Sequence, residues 1–347
     1  MKNLIKHILL ATAVVAAAGC AKTIQEGANE ANQRYLDAWM KVQGITEEQK
    51  VGRGIYVLSQ IEAPSVDCVE ADGYAFVNYR TTDLEGNITA YTDRETAEQL
   101  GEYDPSKYYG PKVWLTTAET IRAGVFDGIS GMTVGSQKRF LVPPWMMSYK
   151  NFATEEEYLA QASENPATIY EVKIEGFTKD INEWQFSEMV ATFNSDDFYG
   201  GRFKGTDIED TVGVGYGILY KNIEAIKSEE AFSSDTTIYI NYTGKLLNGL
   251  VFDTNIEKTA KDNNLYNPDK KYGPTAVQWA SKYSEITLDN SSVIGGFART
   301  LWQMGSLQSG SKGVGMFYSE LGYGYSGSGN IPGYAPLIFE IEIVDAP

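Results

Sequence analysis

An internal repeat constrains the fold of this chain more than any other feature. Three short motifs occur twice in the same order, and each second copy lies roughly 160 residues after the first. Unrelated segments would not keep one spacing over so long a stretch. We therefore expect two tandem copies of one fold. The paired motifs are Val51-Gly52-Arg53-Gly54 with Val212-Gly213-Val214-Gly215, Asn78-Tyr79 with Asn241-Tyr242, and Tyr109-Gly110-Pro111 with Tyr272-Gly273-Pro274.

The length of 347 residues agrees with two domains, since a domain usually has about 100–200 residues. We predict a cleaved leader over residues 1–19 and an N-terminal linker with a helix over 20–44. The first domain is predicted over 45–180, a connecting helix over 181–199 and the second domain over 200–347.

Alternating apolar and polar residues predict β-strands in both copies, most clearly over 169–174, 237–242 and 337–343. Residues 296–304 predict one short helix, because Phe297, Leu301 and Met304 fall on one face. The expected fold class is α+β, with each domain a curled antiparallel sheet over one short helix. Apolar residues at helical intervals also precede each copy, near residues 35–40 and 184–193, and we expect each helix to pack on its own domain.

Composition excludes several classes of function. The formal net charge of −17 repels phosphate backbones, so we expect no nucleic-acid partner. The single histidine, His7, lies in the predicted leader. The mature chain would then have no imidazole for a Ser-His-Asp or Cys-His site or for a His-ligated zinc. We therefore expect neither a metal nor a cofactor.

The first residues predict export and lipid attachment. A cationic start leads into an apolar run from Ile8 to Ala18, which is typical of a signal peptide and too short for a stable membrane span. The run ends in Ala17-Ala18-Gly19-Cys20, which resembles a bacterial lipobox. We predict lipidation of Cys20 and a location in the bacterial cell envelope, anchored to the outer membrane on its periplasmic or surface side. An ordinary cleaved signal peptide is the alternative.

The most specific signal is a set of aromatic and aliphatic residues in the second copy. Its segments are Tyr242-Thr243-Gly244, Val251-Phe252-Asp253, Val293-Ile294-Gly295-Gly296-Phe297, Leu321-Gly322-Tyr323-Gly324, Ile331-Pro332 and Leu337-Ile338-Phe339. Their order, residue types and most spacings over residues 230–347 resemble the FKBP-type peptidyl-prolyl cis-trans isomerases. In that family a sheet curls round a helix, and the groove between them binds a proline side chain.

The resemblance implies a role for each site residue. The aromatic walls and floor would be Tyr242, Phe252, Phe297 and Phe339, the remaining apolar lining Val293, Ile294 and Ile331, and the polar rim Asp253 and the hydroxyl of Tyr323. The implied partners are proline-containing unfolded or partly folded proteins, and the implied activity assists the folding of proteins outside the cytoplasm.

The first copy keeps less of this set. Tyr79 matches Tyr242, but Tyr91-Thr92 is read in the place of Phe252-Asp253, and Val125 in the place of Phe297. We therefore expect the first copy to be a degenerate domain that binds a ligand or serves as a spacer and does not catalyse.

Two other functions remain open at this point. A chaperone or binding lipoprotein would keep the fold without turnover. A glycan-binding lipoprotein would use exposed aromatic platforms, which the 23 tyrosines permit.

Overall fold

The computed structural model describes residues 28–117, 119–147, 157, 166–205 and 217–347. The predicted leader and Cys20 lie outside these residues, as does the second copy of the Val-Gly-Xaa-Gly motif. The described chain forms two antiparallel sheets with a few short helices, so the predicted α+β class with two tandem domains is confirmed.

The first sheet and its helices come from the N-terminal half of the chain. Its strands are β1 (Lys50–Val51), β2 (Ile55–Ile61), β3 (Tyr74–Thr82), β4 (Ile88–Tyr91), β5 (Lys112–Leu115), β6 (Gln137–Val142) and β7 (Thr168–Thr178). The helices of this half are α1 (Ala28–Gln43), α2 (Arg94–Leu100) and α3 (Ala123–Ile129).

The second sheet follows a long connecting helix. The helices here are α4 (Ile181–Phe193), α5 (Glu257–Asp262) and α6 (Gly295–Trp302). The strands are β8 (Ile218–Glu224), β9 (Thr237–Leu246), β10 (Val251–Thr254), β11 (Thr275–Gln278), β12 (Thr287–Leu288), β13 (Ser291–Ser292), β14 (Lys312–Phe317) and β15 (Leu337–Val344).

The two sheets share one topology. In the first, β2, β6, β7 and β3 are neighbours in that order, and β4 and β5 both pair with β3. In the second, β8, β14, β15 and β9 are neighbours in that order, and β10 and β11 both pair with β9. The sequence repeat is therefore a repeat of strand order and pairing.

One short helix covers the inner face of each sheet. In the second half, Phe297 and Leu301 of α6 pack with Phe317 of β14 and Phe339 of β15 in a continuous apolar core. In the first half, Val125 of α3 packs in the same way against its own sheet. Each inner core forms where alternate strand residues meet the apolar stripe of a helix.

The outer faces are covered by the helices that precede each copy. Leu36 of α1 packs on the outer face of the first sheet, and Met189 and Phe193 of α4 pack on the outer face of the second. These contacts confirm the predicted packing of each helix on its own domain. Trp184 of α4 departs from it, because its ring lies 4.2 Å from that of Phe76 in the first sheet.

Among the helices that the structure describes, none has the length and apolarity needed to cross a membrane. The same described residues contain no group of three or more histidine, cysteine, aspartate or glutamate side chains arranged to hold a metal ion.

Candidate functional site

The four predicted aromatic residues of the second copy converge on one cluster. The ring centroid of Phe297 lies 5.6 Å from that of Tyr242 and 5.0 Å from that of Phe339, both edge to face. Phe252 meets Phe339 at 5.6 Å, also edge to face. Aromatic rings prefer such edge-to-face contacts. Helix α6 and strands β9, β10 and β15 thus bring together residues that are nearly 100 positions apart.

A glycine makes this close approach of the rings possible. A Cβ atom at Gly244 would lie 2.7 Å from the ring of Phe252 and 2.9 Å from that of Phe339. Any larger residue would therefore force the two rings apart. The Tyr-Thr-Gly motif therefore contributes two features to the site: the phenol of Tyr242 and, at Gly244, the space that the two rings occupy.

The other predicted apolar residues lie around the same cluster. Ile294 is the N-cap residue of α6, and Val293 precedes it; both are partly buried against the core. Ile331 reaches the core from the long loop between β14 and β15, where it is buried. The same loop carries Tyr323, which is 37% exposed. Apolar residues therefore lie inside this cluster, and the phenol of Tyr323 lies at its edge.

The polar rim contains a connected hydrogen-bond network. The hydroxyl of Tyr242 donates to Oδ2 of Asp253 over 3.0 Å. Nζ of Lys270 donates to Oδ1 of the same carboxylate over 2.6 Å and to the carbonyl of Thr254 over 2.9 Å. Two donors therefore hold the Asp253 carboxylate in one orientation at the mouth of the site.

Burial keeps the phenols of the site protonated. Burial raises the pKa of Tyr242 well above its usual value, and the nearby negative charge of Asp253 raises it further. The pKa of Tyr323 is raised for the same two reasons, burial first and Asp253 second. Both hydroxyls are thus hydrogen-bond donors at any physiological pH.

Two supporting residues were not predicted from the sequence. Lys270 lies in a polar insertion that shows no motif. Asn255 is buried, accepts the backbone N–H of Tyr242 at 2.8 Å and donates to the carbonyl of Ile240 at 2.8 Å. Asn255 directly follows strand β10, two residues after Asp253, and this position was a usable signal, because a buried amide normally has hydrogen-bond partners.

The structure corrects the sequence alignment of the first copy. Thr92 accepts the backbone N–H of Tyr79 at 2.9 Å, as Asn255 accepts that of Tyr242. Ala90, two residues before Thr92, is therefore the counterpart of Asp253, so the pairing of Tyr91-Thr92 with Phe252-Asp253 was wrong. Thr89 takes the place of Phe252. The error was a shift of two residues, which preserves the alternation of a strand and so leaves no trace in the sequence pattern.

Comparison with known proteins agrees with this geometry. Residues 228–344 match the sequence model of the FKBP-type peptidyl-prolyl cis-trans isomerases. A probable FKBP-type peptidyl-prolyl cis-trans isomerase of Haemophilus influenzae is 31% identical over 156 residues, which are 45% of this chain and 52% of the relative. The chain thus spans about half the length of the curated relative it matches. Residues 228–344 are therefore similar in sequence to the FKBP-type family, which is the resemblance that the motifs of the second copy indicated.

Solved FKBP structures are also similar to this chain. FkpA of Escherichia coli is 22% identical, with a TM-score of 0.29 over 48% of this chain and 62% of its own. The three FKBP domains of wheat FKBP73 are 15% identical, with a TM-score of 0.26 over 84% of this chain and 93% of theirs. A peptidyl-prolyl cis-trans isomerase of Pseudomonas syringae is 17% identical, with a TM-score of 0.30 over 49% of this chain and 98% of its own.

Proposed function

We propose that this protein catalyses the cis-trans isomerisation of prolyl peptide bonds in unfolded proteins, at the aromatic site of its second domain. The convergence of Tyr242, Phe252, Phe297 and Phe339 beneath a polar rim is the observation that carries the proposal. An apolar site with aromatic walls suits the compact, uncharged ring of a proline.

The site needs no nucleophile for this reaction. Rotation about the peptide bond faces a barrier of about 18–20 kcal/mol, because resonance gives the C–N bond partial double-bond character. The planar amide carries separated charge, whereas the twisted amide does not. An apolar surface such as the ring of Phe297 therefore disfavours the planar form relative to the twisted one. Every 1.36 kcal/mol of preference for the twisted state gives about tenfold in rate.

The rim supplies orientation. The carboxylate of Asp253 already accepts hydrogen bonds from Tyr242 and Lys270 and retains further lone pairs. The protonated hydroxyl of Tyr323, at the edge, is available as a donor to a substrate carbonyl. Together these groups hold the substrate backbone while the proline ring lies against the floor.

The proposal is tested by turnover of a short prolyl peptide, followed by exchange spectroscopy. The chain without its leader is expected to accelerate the exchange, and Ile294→Asp is expected to abolish the acceleration by placing a charge in the apolar lining. Ile226→Asp is the matched control, because Ile226 lies in the same domain and is exposed. The proposal fails if the unsubstituted chain is inactive, or if both variants behave alike.

We also propose that the protein works outside the cytoplasm, attached to a membrane through a lipid on Cys20. The lipobox-like end of the leader supports this. Several acyl chains, at about 0.8 kcal/mol per buried methylene, would hold the protein firmly. Cys20→Ser should release the protein into the soluble fraction, and a variant that still sediments with membranes in high salt would contradict the anchor.

A further inference from the structure

A large cleft lies over the first sheet, at the place that corresponds to the site of the second domain. Its volume is about 930 Å³. Ligand sites in proteins usually have volumes of about 300–1,000 Å³, so the cleft has the size of a functional site.

The cleft is the counterpart of the second-domain site with its key groups exchanged. Tyr79 and Tyr170 occupy the positions of Tyr242 and Phe339 in the strand register. Ala90 replaces the rim carboxylate, and Val125 replaces the aromatic floor. Ala90 therefore cannot orient a substrate as a carboxylate would, and the small side chain of Val125 leaves open space at the floor of the cleft.

An aromatic residue from another strand takes over part of the floor. Trp114 of β5 pairs with Ala75, just as Val277 of β11 pairs with Ile238 in the second sheet. The ring of Trp114 lies 5.1 Å from that of Tyr79 and 6.5 Å from that of Tyr170. The first domain therefore has an aromatic platform of its own, built at a position where the second domain has a valine.

The lining favours an uncharged, extended ligand. Among the described residues that border the cleft, Arg122 is the one cation and Glu320 the one anion, so their charges balance. The remaining polar groups are mostly hydroxyls of threonine and tyrosine around apolar walls. Hydroxyls can accept and donate hydrogen bonds to a peptide backbone, while the walls take apolar side chains.

One loop connects the border of the cleft with the rim of the second-domain site. The segment between β14 and β15 carries Tyr323 to the rim of the second-domain site, and Tyr325 and Tyr334 of the same segment border the cleft. The ring of Tyr334 also meets Tyr74 of the first sheet at 5.3 Å, edge to face. The same loop therefore contributes residues to both sites, so a polypeptide that follows the loop can contact both.

We infer that the cleft of the first domain is a second polypeptide-binding site, which holds an extended apolar segment of the protein whose proline occupies the second domain. This inference rests on the proposed function for the identity of the ligand. Because the cleft lacks the rim acid and the phenylalanine floor, it binds without accelerating isomerisation. Two linked sites on one ligand raise the affinity of the whole chain for long unfolded substrates over short ones.

The test measures binding and turnover separately. Fluorescence anisotropy follows the binding of a labelled, proline-free peptide of leucine, phenylalanine and serine residues to the chain without its leader. Thr89→Trp places an indole at the exposed mouth of the cleft and is expected to weaken binding by about tenfold or more. Val66→Trp is the matched control, since Val66 is 98% exposed in the same domain and does not border the cleft.

A second variant removes a contact instead of adding bulk. Tyr325 is 77% exposed, so Tyr325→Ala leaves the fold intact and should weaken peptide binding a few-fold. Both cleft variants should isomerise a very short prolyl peptide as fast as the unsubstituted chain, while losing efficiency on a long unfolded protein.

Three results would overturn the inference. The first is a Thr89→Trp variant that binds the peptide like the control. The second is loss of peptide binding in Ile294→Asp alone, which would place the peptide in the second domain. The third is a neutral oligosaccharide that binds in place of the peptide and is lost in Thr89→Trp. If neither the unsubstituted chain nor any variant isomerises the prolyl peptide, the proposed function is refuted. The anisotropy measurement would still show whether the cleft binds the peptide.

Discussion

Replacement of Phe297 by alanine tests the floor of the second-domain site most directly. The side chain is 3% exposed and meets two other rings, so Phe297→Ala should lower the free energy of unfolding by about 3–5 kcal/mol. The same ring is proposed to contact the twisted amide. Full burial of a large apolar side chain is worth about 1.5–3 kcal/mol, which sets the upper limit for this contact because the ring is already packed in the core. At 1.36 kcal/mol per tenfold, kcat/KM should fall by up to about a hundredfold.

The assay must separate loss of the floor from loss of stability. Exchange spectroscopy on a short prolyl peptide gives the rate, and circular dichroism at the same temperature gives the folded fraction. Leu301→Ala is the matched control, because Leu301 is buried on the same helix and its loss costs about 2–5 kcal/mol. Phe297→Leu replaces the alanine variant if that variant does not fold. An equal loss of rate in folded Leu301→Ala, or no loss in folded Phe297→Ala, would refute the reasoning.

Three further predictions concern the groups around this floor. Asp253→Asn should reduce kcat/KM by less than about tenfold, and Lys270→Met should reduce it by less still. The side chains of Asp253 and Lys270 are 41% and 35% exposed, and ion pairs at such exposed positions contribute about 0–1 kcal/mol. Measurement of the rate at increasing salt concentration checks this prediction. The raised pKa of Tyr242 favours the folded state below about pH 10, and this contribution is lost as pH rises further, so urea titrations should show a shallower alkaline decline in Tyr242→Phe. Gln185→Leu should cost about 1–3 kcal/mol in urea denaturation, because it leaves the buried N–H of Ser319 unpaired, and a cost near zero would contradict this.

The strands and the pocket helix were predictable because their patterns follow directly from burial. Residues 337–343 alternate, and the strand is Leu337–Val344. The helix predicted over 296–304 is Gly295–Trp302, two residues shorter at its C-terminal end. It stops early because the chain turns at Gly305, where a Cβ atom would lie 2.8 Å from the ring of Trp279. Periodicity predicts the existence of an element, whereas tertiary contacts set its end.

The supporting contacts of the site could not be predicted, because they join segments with no pattern in common. Lys270 reaches Asp253 from a polar insertion, and in a chain with so many charged residues its partner is not visible in the sequence. The side-chain amide of Gln185 in the connecting helix makes two hydrogen bonds with Ser319: its oxygen accepts the backbone N–H at 2.7 Å, and its nitrogen donates to the hydroxyl at 3.2 Å. This pair fixes the start of the loop that carries Tyr323, yet its two members lie 134 residues apart in the sequence.

The two copies of the fold show how small changes redirect one architecture. Strand order, the hydrogen bond that anchors the tyrosine strand and the position of the inner helix are the same in both copies. Key side chains that face the groove differ: Ala90 lies where the second domain has Asp253, and Val125 lies where it has Phe297. The strand order and pairing of the sheet are the same in both copies despite these exchanges. A groove without this carboxylate and this phenyl ring can still bind apolar groups. It lacks the two groups that are proposed to bind a twisted amide better than a planar one. This contrast supports the proposal that the same backbone binds polypeptide in one copy and isomerises prolyl bonds in the other.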